Sequence, residues 1–153
     1  MSSLELKIPP LILVAIFAVI MWPLSSDMKI DILPQSVNLI VAVIILLMGL
    51  TVAMAGVFSF KESDTTVNPT TPQKATFLVT TGVYQFTRNP MYLGFFLFLV
   101  SWAVYLSSLV SLVMPVFYVL YMNKFQIIPE EKILNSIFGE EFDVYKKRVR
   151  RWL

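Results

Sequence analysis

The sequence predicts an all-α fold: a polytopic membrane helical bundle of about four transmembrane helices, followed by cytoplasmic amphipathic helices at the C-terminal end. Three observations lead there. Hydrophobic residues make up 57% of the 153 positions and charged residues only 14%, with a mean hydropathy of +0.74, far from the balance of a domain that keeps a polar surface in water. The apolar residues gather into four runs of near-membrane length. The basic residues are spread very unequally about those runs, although the net charge is only +2. The whole of 1–153 is expected to be one integral membrane domain. Its longest interval between runs, Lys61 to Asn89, is polar, carries Pro69 and Pro72, and could not enclose a core of its own.

The first expected span covers about residues 8–26. Pro9 and Pro10 stand in its first turn, where a missing N–H had no helical partner in any case, and Trp22-Pro23 near its end joins an interface-type aromatic to a helix breaker. Its apolar run is long enough to span, Lys7 is its only basic flank, and no A-x-A-like site follows, so a cleavable signal peptide is not expected. The second span, about 36–60, is the longest and most uniform. Within it Gly49, Ala53 and Gly56 fall at i, i+4 and i+7, a stripe small enough for a neighbouring backbone to approach closely. The third and fourth spans, about 91–106 and 109–125, are separated only by Ser107-Ser108 and are each a little short for a hydrocarbon layer of ~30 Å. They suggest a tight helical hairpin. Pro115 inside the fourth should kink it and free a carbonyl that protein or water has to satisfy.

Four spans put both termini on one side. Lys7, Lys61, Lys74, Arg88, Lys124, Lys132, Lys146, Lys147, Arg148, Arg150 and Arg151 then share that side, against Lys29 alone on the other. The positive-inside rule makes the basic side cytoplasmic, and the expected location is a bacterial cytoplasmic membrane. In the tail, 126–153, the pattern changes. Pro129 can start a helix with Glu130 and Glu131 in its first turn, where carboxylates complement the helix dipole, and its apolar face ends at Gly139. Phe142, Tyr145, Val149 and Trp152 recur at i, i+3, i+7 and i+10 and predict a second helix, with Lys and Arg on its other face. The basic cluster from Lys146 to Arg151 suits anionic headgroups, so membrane lipids are expected partners and nucleic acid is not.

Cysteine and histidine are both absent. Disulfides, thiol nucleophiles, His/Cys metal sites and histidine general-base chemistry are thereby excluded, and no metal is expected. Chemistry has to run on carboxylates, arginine, tyrosine, amides and backbone groups. Two polar clusters, Arg88-Asn89 with Tyr92 and Glu130-Glu131, stand at ends of apolar segments on the same side. If the third span and the tail pack together, these clusters converge on one pocket, lipid-accessible on one flank and open to water on the other. Such a pocket suits an enzyme that joins a soluble polar cofactor to a lipophilic substrate.

The pattern "GVYQFTRNPMYLG", followed about 35 residues later by "PEEKILNSIFGEEFDVYKKRV", resembles the isoprenylcysteine carboxyl methyltransferases and the related phospholipid methyltransferases. In those enzymes an R-H-P-x-Y-x-G segment and a later E-E…F-G-x-x-Y-x-x-Y segment form the S-adenosylmethionine site. The resemblance runs from about Thr81 to Val149. It lays Arg88, Pro90, Tyr92 and Gly94 on the first pattern and Glu130, Glu131, Phe138, Gly139 and Tyr145 on the second. It implies Arg88, Asn89, Tyr92, Glu130 and Glu131 as cofactor-binding residues, and Arg88, Glu131 and Arg148 as the catalytic set, with Arg148 attracting an anionic acceptor. Asn89 stands where the family has histidine, and an amide can donate or accept a hydrogen bond but cannot take up a proton. The tail reads R-V-R-R-W where many relatives have V-P.

The expected function is therefore S-adenosylmethionine-dependent methyl transfer to a small lipophilic or lipid-like acceptor. Two alternatives remain. Membrane sterol reductases, much larger and NADPH-dependent, carry a similar R-H-P-x-Y segment, and a non-catalytic membrane scaffold could keep the architecture without the reaction. The acceptor and the oligomeric state are not specified by the sequence.

Overall fold

Close approach of two backbones organises the bundle. The computed structural model describes residues 5–26, 29, 34–62 and 77–153; Pro69, Pro72 and Lys74 of the expected loop lie outside them. Its helices are α1 (Pro10–Leu24), α2 (Gln35–Glu62), α3 (Pro90–Leu106), α4 (Leu109–Tyr121), α5 (Ile128–Phe138) and α6 (Glu140–Arg148), with a 3-10 turn at Gly82–Gln85 and a π turn at Met122–Ile127. Along the α2–α3 seam the small-residue stripe meets Gly94 and Pro90. A Cβ at Gly94 would fall 2.6 Å from the Gly49 carbonyl oxygen and 2.7 Å from the Ala53 Cβ, and one at Gly56 would fall 3.0 Å from the Pro90 ring. The stripe is thus occupied by α3 of the same chain, with backbone nearly touching backbone.

α1 and α4 close over the other side of α3, burying Met21, Leu99, Tyr118 and Met122 together. Side-chain donors then tie the helices to carbonyls of their neighbours. The Ser101 hydroxyl donates to the Ala42 carbonyl at 2.7 Å and the Trp102 indole to that of Ala18 at 3.1 Å. The expected α3–α4 hairpin is present. Ser107 turns the chain through a left-handed conformation, φ 50°, and its hydroxyl accepts from the Asn38 amide at 2.8 Å.

Three sequence expectations need correction. First, not all four spans have full membrane length: α2 and the continuous α4–π–α5 helix, Leu109–Phe138, are long and apolar enough to cross, whereas α1 and α3 have 15 and 17 residues, about 23 and 26 Å at ~1.5 Å per residue. Leu39, Ile40, Ile44, Leu47, Met48 and Met54 are exposed on α2, an apolar face of the kind that meets lipid or another protein.

Second, no break separates the fourth span from the tail. Pro129 has no N–H to offer the Phe125 carbonyl four residues back, and instead of ending, the helix widens into the π turn. The Leu6 backbone N–H takes the freed carbonyl at 3.0 Å, which anchors the segment before α1 at this end of the bundle. Third, α6 stops at Arg148. Val149 is extended, with φ −119° and ψ 133°, so the burial of Val149 and Trp152 does not come from one helical face.

Candidate functional site

The site lies where the 3-10 turn, the start of α3, α5, α6 and the chain beyond α6 meet. Pro90 occupies the first turn of α3, where its fixed φ suits the helix, so Arg88 and Asn89 sit immediately outside it. The Arg88 side chain is 11% exposed. Its Nη2 donates to the Glu131 carboxylate at 2.5 Å, and its Nη1 donates to the carbonyls of Lys146 at 3.2 Å and Val149 at 2.7 Å. One guanidinium therefore neutralises a carboxylate on α5 and satisfies open carbonyls at the C-terminal end of α6, where the helix dipole favours a cation. Its Nε has no hydrogen-bond partner among the described residues.

The two adjacent glutamates have opposite surroundings. Both lie about 20 residues or more past Leu109, beyond the length that a hydrocarbon layer encloses. Glu131 accepts from Arg88 and also from Arg151, through Nε at 3.0 Å and Nη2 at 2.7 Å, a fork reaching both carboxylate oxygens. Burial works to raise its pKa, but the hydrogen bonds and charges of Arg151 and Arg88 outweigh it and hold the carboxyl below its ordinary value. Glu130 has neutral partners instead. The Tyr92 hydroxyl and the Gln126 amide each donate to its Oε1 at 2.6 Å. Burial dominates there, and with repulsion from Glu131 it pushes the carboxyl up to about 7 despite those two bonds.

Asn89 is held by its side-chain amide, which donates to the Arg151 carbonyl at 3.0 Å, while its backbone N–H donates to the Thr87 hydroxyl at 3.2 Å. The Tyr145 hydroxyl donates to the Tyr84 carbonyl at 2.8 Å and joins α6 to the 3-10 turn. Burial pushes that phenol up to about 12.

Together these elements bound an open cleft of about 520 Å³, its mouth included. Arg88, Asn89, Glu130 and Glu131 supply polar groups to its wall, and Phe60, Phe77, Leu78, Leu134 and Phe142 supply apolar ones. The first polar cluster of the sequence thus meets the second. Tyr92 is buried and contacts Glu130 without lining the cleft. Arg148 is exposed on the last turn of α6 and is not part of the lining, and Arg151 is the tail arginine that reaches Glu131.

The chain matches the phospholipid methyltransferase family over residues 37–141, from α2 to the start of α6. This protein belongs to that family. The matched residues include the whole polar wall of the cleft but stop short of Arg148 and Arg151. Relatives include the proteins named protein-S-isoprenylcysteine O-methyltransferase of Schizosaccharomyces pombe, 36% identical over 75 residues, and of Saccharomyces cerevisiae, 39% identical over 72 residues. Each match covers 47% of this chain and 30% of the yeast protein. An uncharacterized protein of Haemophilus influenzae is 41% identical over 63 residues, which is 41% of this chain and the whole of that protein. No solved structure matches the chain.

Sequence reasoning missed Arg151 and Gln126. The R-V-R-R-W departure in the tail was the available signal for the first. Gln126, which sits four residues before Glu130 on one helical face, would have been legible had the helix been read as continuous across Pro129.

Proposed function

We propose that this protein is a membrane-embedded methyltransferase that uses S-adenosylmethionine and methylates a small lipophilic or lipid-like acceptor. The observation that carries the reading is the mixed lining of the cleft, where the polar groups of Arg88, Asn89, Glu130 and Glu131 meet the apolar side chains of Phe60, Leu78, Leu134 and Phe142. The names of the yeast relatives support methyl transfer to a lipid-modified group, although the chain spans only 30% of their length.

The residues present fit such a cofactor. Glu130 offers a carboxylate to an α-ammonium group, the buried Arg88 Nε is a donor still in need of an acceptor, and the apolar wall can cover a ring system. When bound, the cofactor would supply an electrophilic sulfonium methyl group together with its leaving group. The chain has then to hold donor and acceptor in line, exclude water and, for an amine acceptor, receive a proton. Glu130 suits the contact with the α-ammonium group, because its hydrogen bonds come from neutral donors, whereas Glu131 is held charged by two arginines. Four membrane crossings, two of them by the short α1 and α3, a single integral domain and a cytoplasmic location for the cleft complete the proposal, the last on the positive-inside rule.

Incubating the detergent-solubilised protein with methyl-labelled S-adenosylmethionine and a host lipid extract tests this directly. Label in the lipid phase that is lost in Glu130→Gln supports the reading. Neither binding nor transfer leaves a non-catalytic scaffold, and binding of NADPH in its place indicates the reductase class.

A further inference from the structure

We propose that Arg151 is a positioning residue of this site: its fork onto Glu131 withdraws that carboxylate from ligand binding and leaves Glu130 as the one that receives a cationic ligand group. This inference rests on the methyltransferase reading above and assigns a role to a residue outside the family match.

After α6 the chain turns extended at Val149 and crosses the entrance to α3. Three consecutive residues there grip it. The Thr87 hydroxyl and the Asn89 amide donate to the Arg151 carbonyl at 3.3 and 3.0 Å, the Arg88 backbone N–H donates to the Arg150 carbonyl at 3.1 Å, and Arg88 Nη1 donates to that of Val149. Beyond Arg151, the Trp152 indole donates to Asn123 in the π turn at 3.0 Å. With the backbone fixed on both sides, the Arg151 side chain has a short, defined reach to Glu131, and a guanidinium placed this way loses little freedom on forming two bonds.

Glu131 then accepts three N–H bonds from two cations, so an incoming cation would have to displace an arginine. Glu130 differs in that both of its hydrogen bonds come from neutral donors and both end on Oε1. Glu130 is among the residues that line the cleft, and its Oε2 carries neither bond. Arg151 itself is not part of the lining, so it acts through Glu131 and not by touching a ligand.

The test is a set of calorimetric titrations with S-adenosylhomocysteine between pH 6 and pH 8.5, on wild type, Arg151→Gln, Arg151→Lys, Glu131→Gln and the Glu131→Gln/Arg151→Gln double variant. The groups facing Glu130 are Tyr92 from α3, Tyr84 from the 3-10 turn, and Gln126 and Glu131 from its own helix. Wild-type affinity should rise with pH as Glu130 ionises, with a midpoint near 7. Arg151→Gln leaves Glu131 half neutralised beside Glu130, so the midpoint moves up and affinity at neutral pH falls by about tenfold. Glu131→Gln moves the midpoint down, the double variant follows Glu131→Gln, and Arg151→Lys restores charge without the fork and recovers part of the loss. A merely structural arginine would weaken binding without moving the midpoint. An unmoved midpoint in Arg151→Gln, or a double variant equal to the sum of the singles, overturns the inference while wild-type binding upholds the methyltransferase reading. A wild type that does not bind at any pH overturns both.

Discussion

The two seams that hold α3 work by opposite means. Along α2 the contact is made of absent side chains: Gly49, Ala53, Gly56 and Gly94 bring backbones so close that a single added carbon has no room. At the entrance to α3 the contact is made of long side chains, with Arg88 and Arg151 converging on Glu131 and the carbonyls of Val149 and Arg151 accepting from Thr87, Arg88 and Asn89. The first seam tolerates no change of volume and carries no charge. The second is built of hydrogen bonds and ion pairs and places charge beside the cleft. The tight seam fixes where the mouth of α3 stands, and the polar seam gives that mouth its chemistry.

The comparison can be broken at either seam. The largest effect is expected from Gly94→Leu, which drives a branched side chain into the Gly49 carbonyl and the Ala53 Cβ. We expect a loss of ~3 kcal/mol or more, the upper range for overpacking, read as a collapse of the thermal transition in detergent. Glu131→Gln should cost less, about 2 kcal/mol, because Arg88 stays buried without its countercharge while Arg151, about one-third exposed, can turn to water. A third effect, graded and not all-or-none, is a pH dependence that only the polar seam should show. The Glu130 carboxyl is raised from 4.5 to about 7, so the folded state holds its proton more tightly than the unfolded chain. Its contribution to stability is complete below pH 4.5 and is lost as pH climbs from 4.5 to about 7. Glu131, shifted the other way, contributes above its ordinary value and loses that contribution as pH falls below it. A fall in the unfolding midpoint across the upper window is expected, and Glu130→Gln should flatten it.

The two seams were not equally legible in the sequence. The small-residue stripe has a helical period, and period survives into structure, so α2 and its packing face could be read directly. The convergence of Arg88 and Asn89 with Glu130 and Glu131 was likewise expected from their places at the ends of apolar runs. The path of residues 149–152 was not, because α6 ends at Arg148 and the chain beyond it follows no helical period; the family resemblance pointed to Arg148, while Arg151 is the arginine that reaches Glu131. Pro129 misled for a related reason. A proline usually ends a helix, but here the π turn and the Leu6 N–H absorb the lost donor and the helix continues. The lengths of the first and third helices were also not legible, since apolar composition alone does not separate a 15-residue helix from a full span.

The central claim is that the cleft holds the methyl donor through Glu130. Titrating S-adenosylhomocysteine into wild type and Glu130→Gln at pH 8, where Glu130 is ionised, tests it most directly. The account predicts measurable wild-type binding that weakens by about tenfold or more in the variant, the loss expected when one hydrogen bond to a charged group is removed; equal affinities in the two proteins would contradict it.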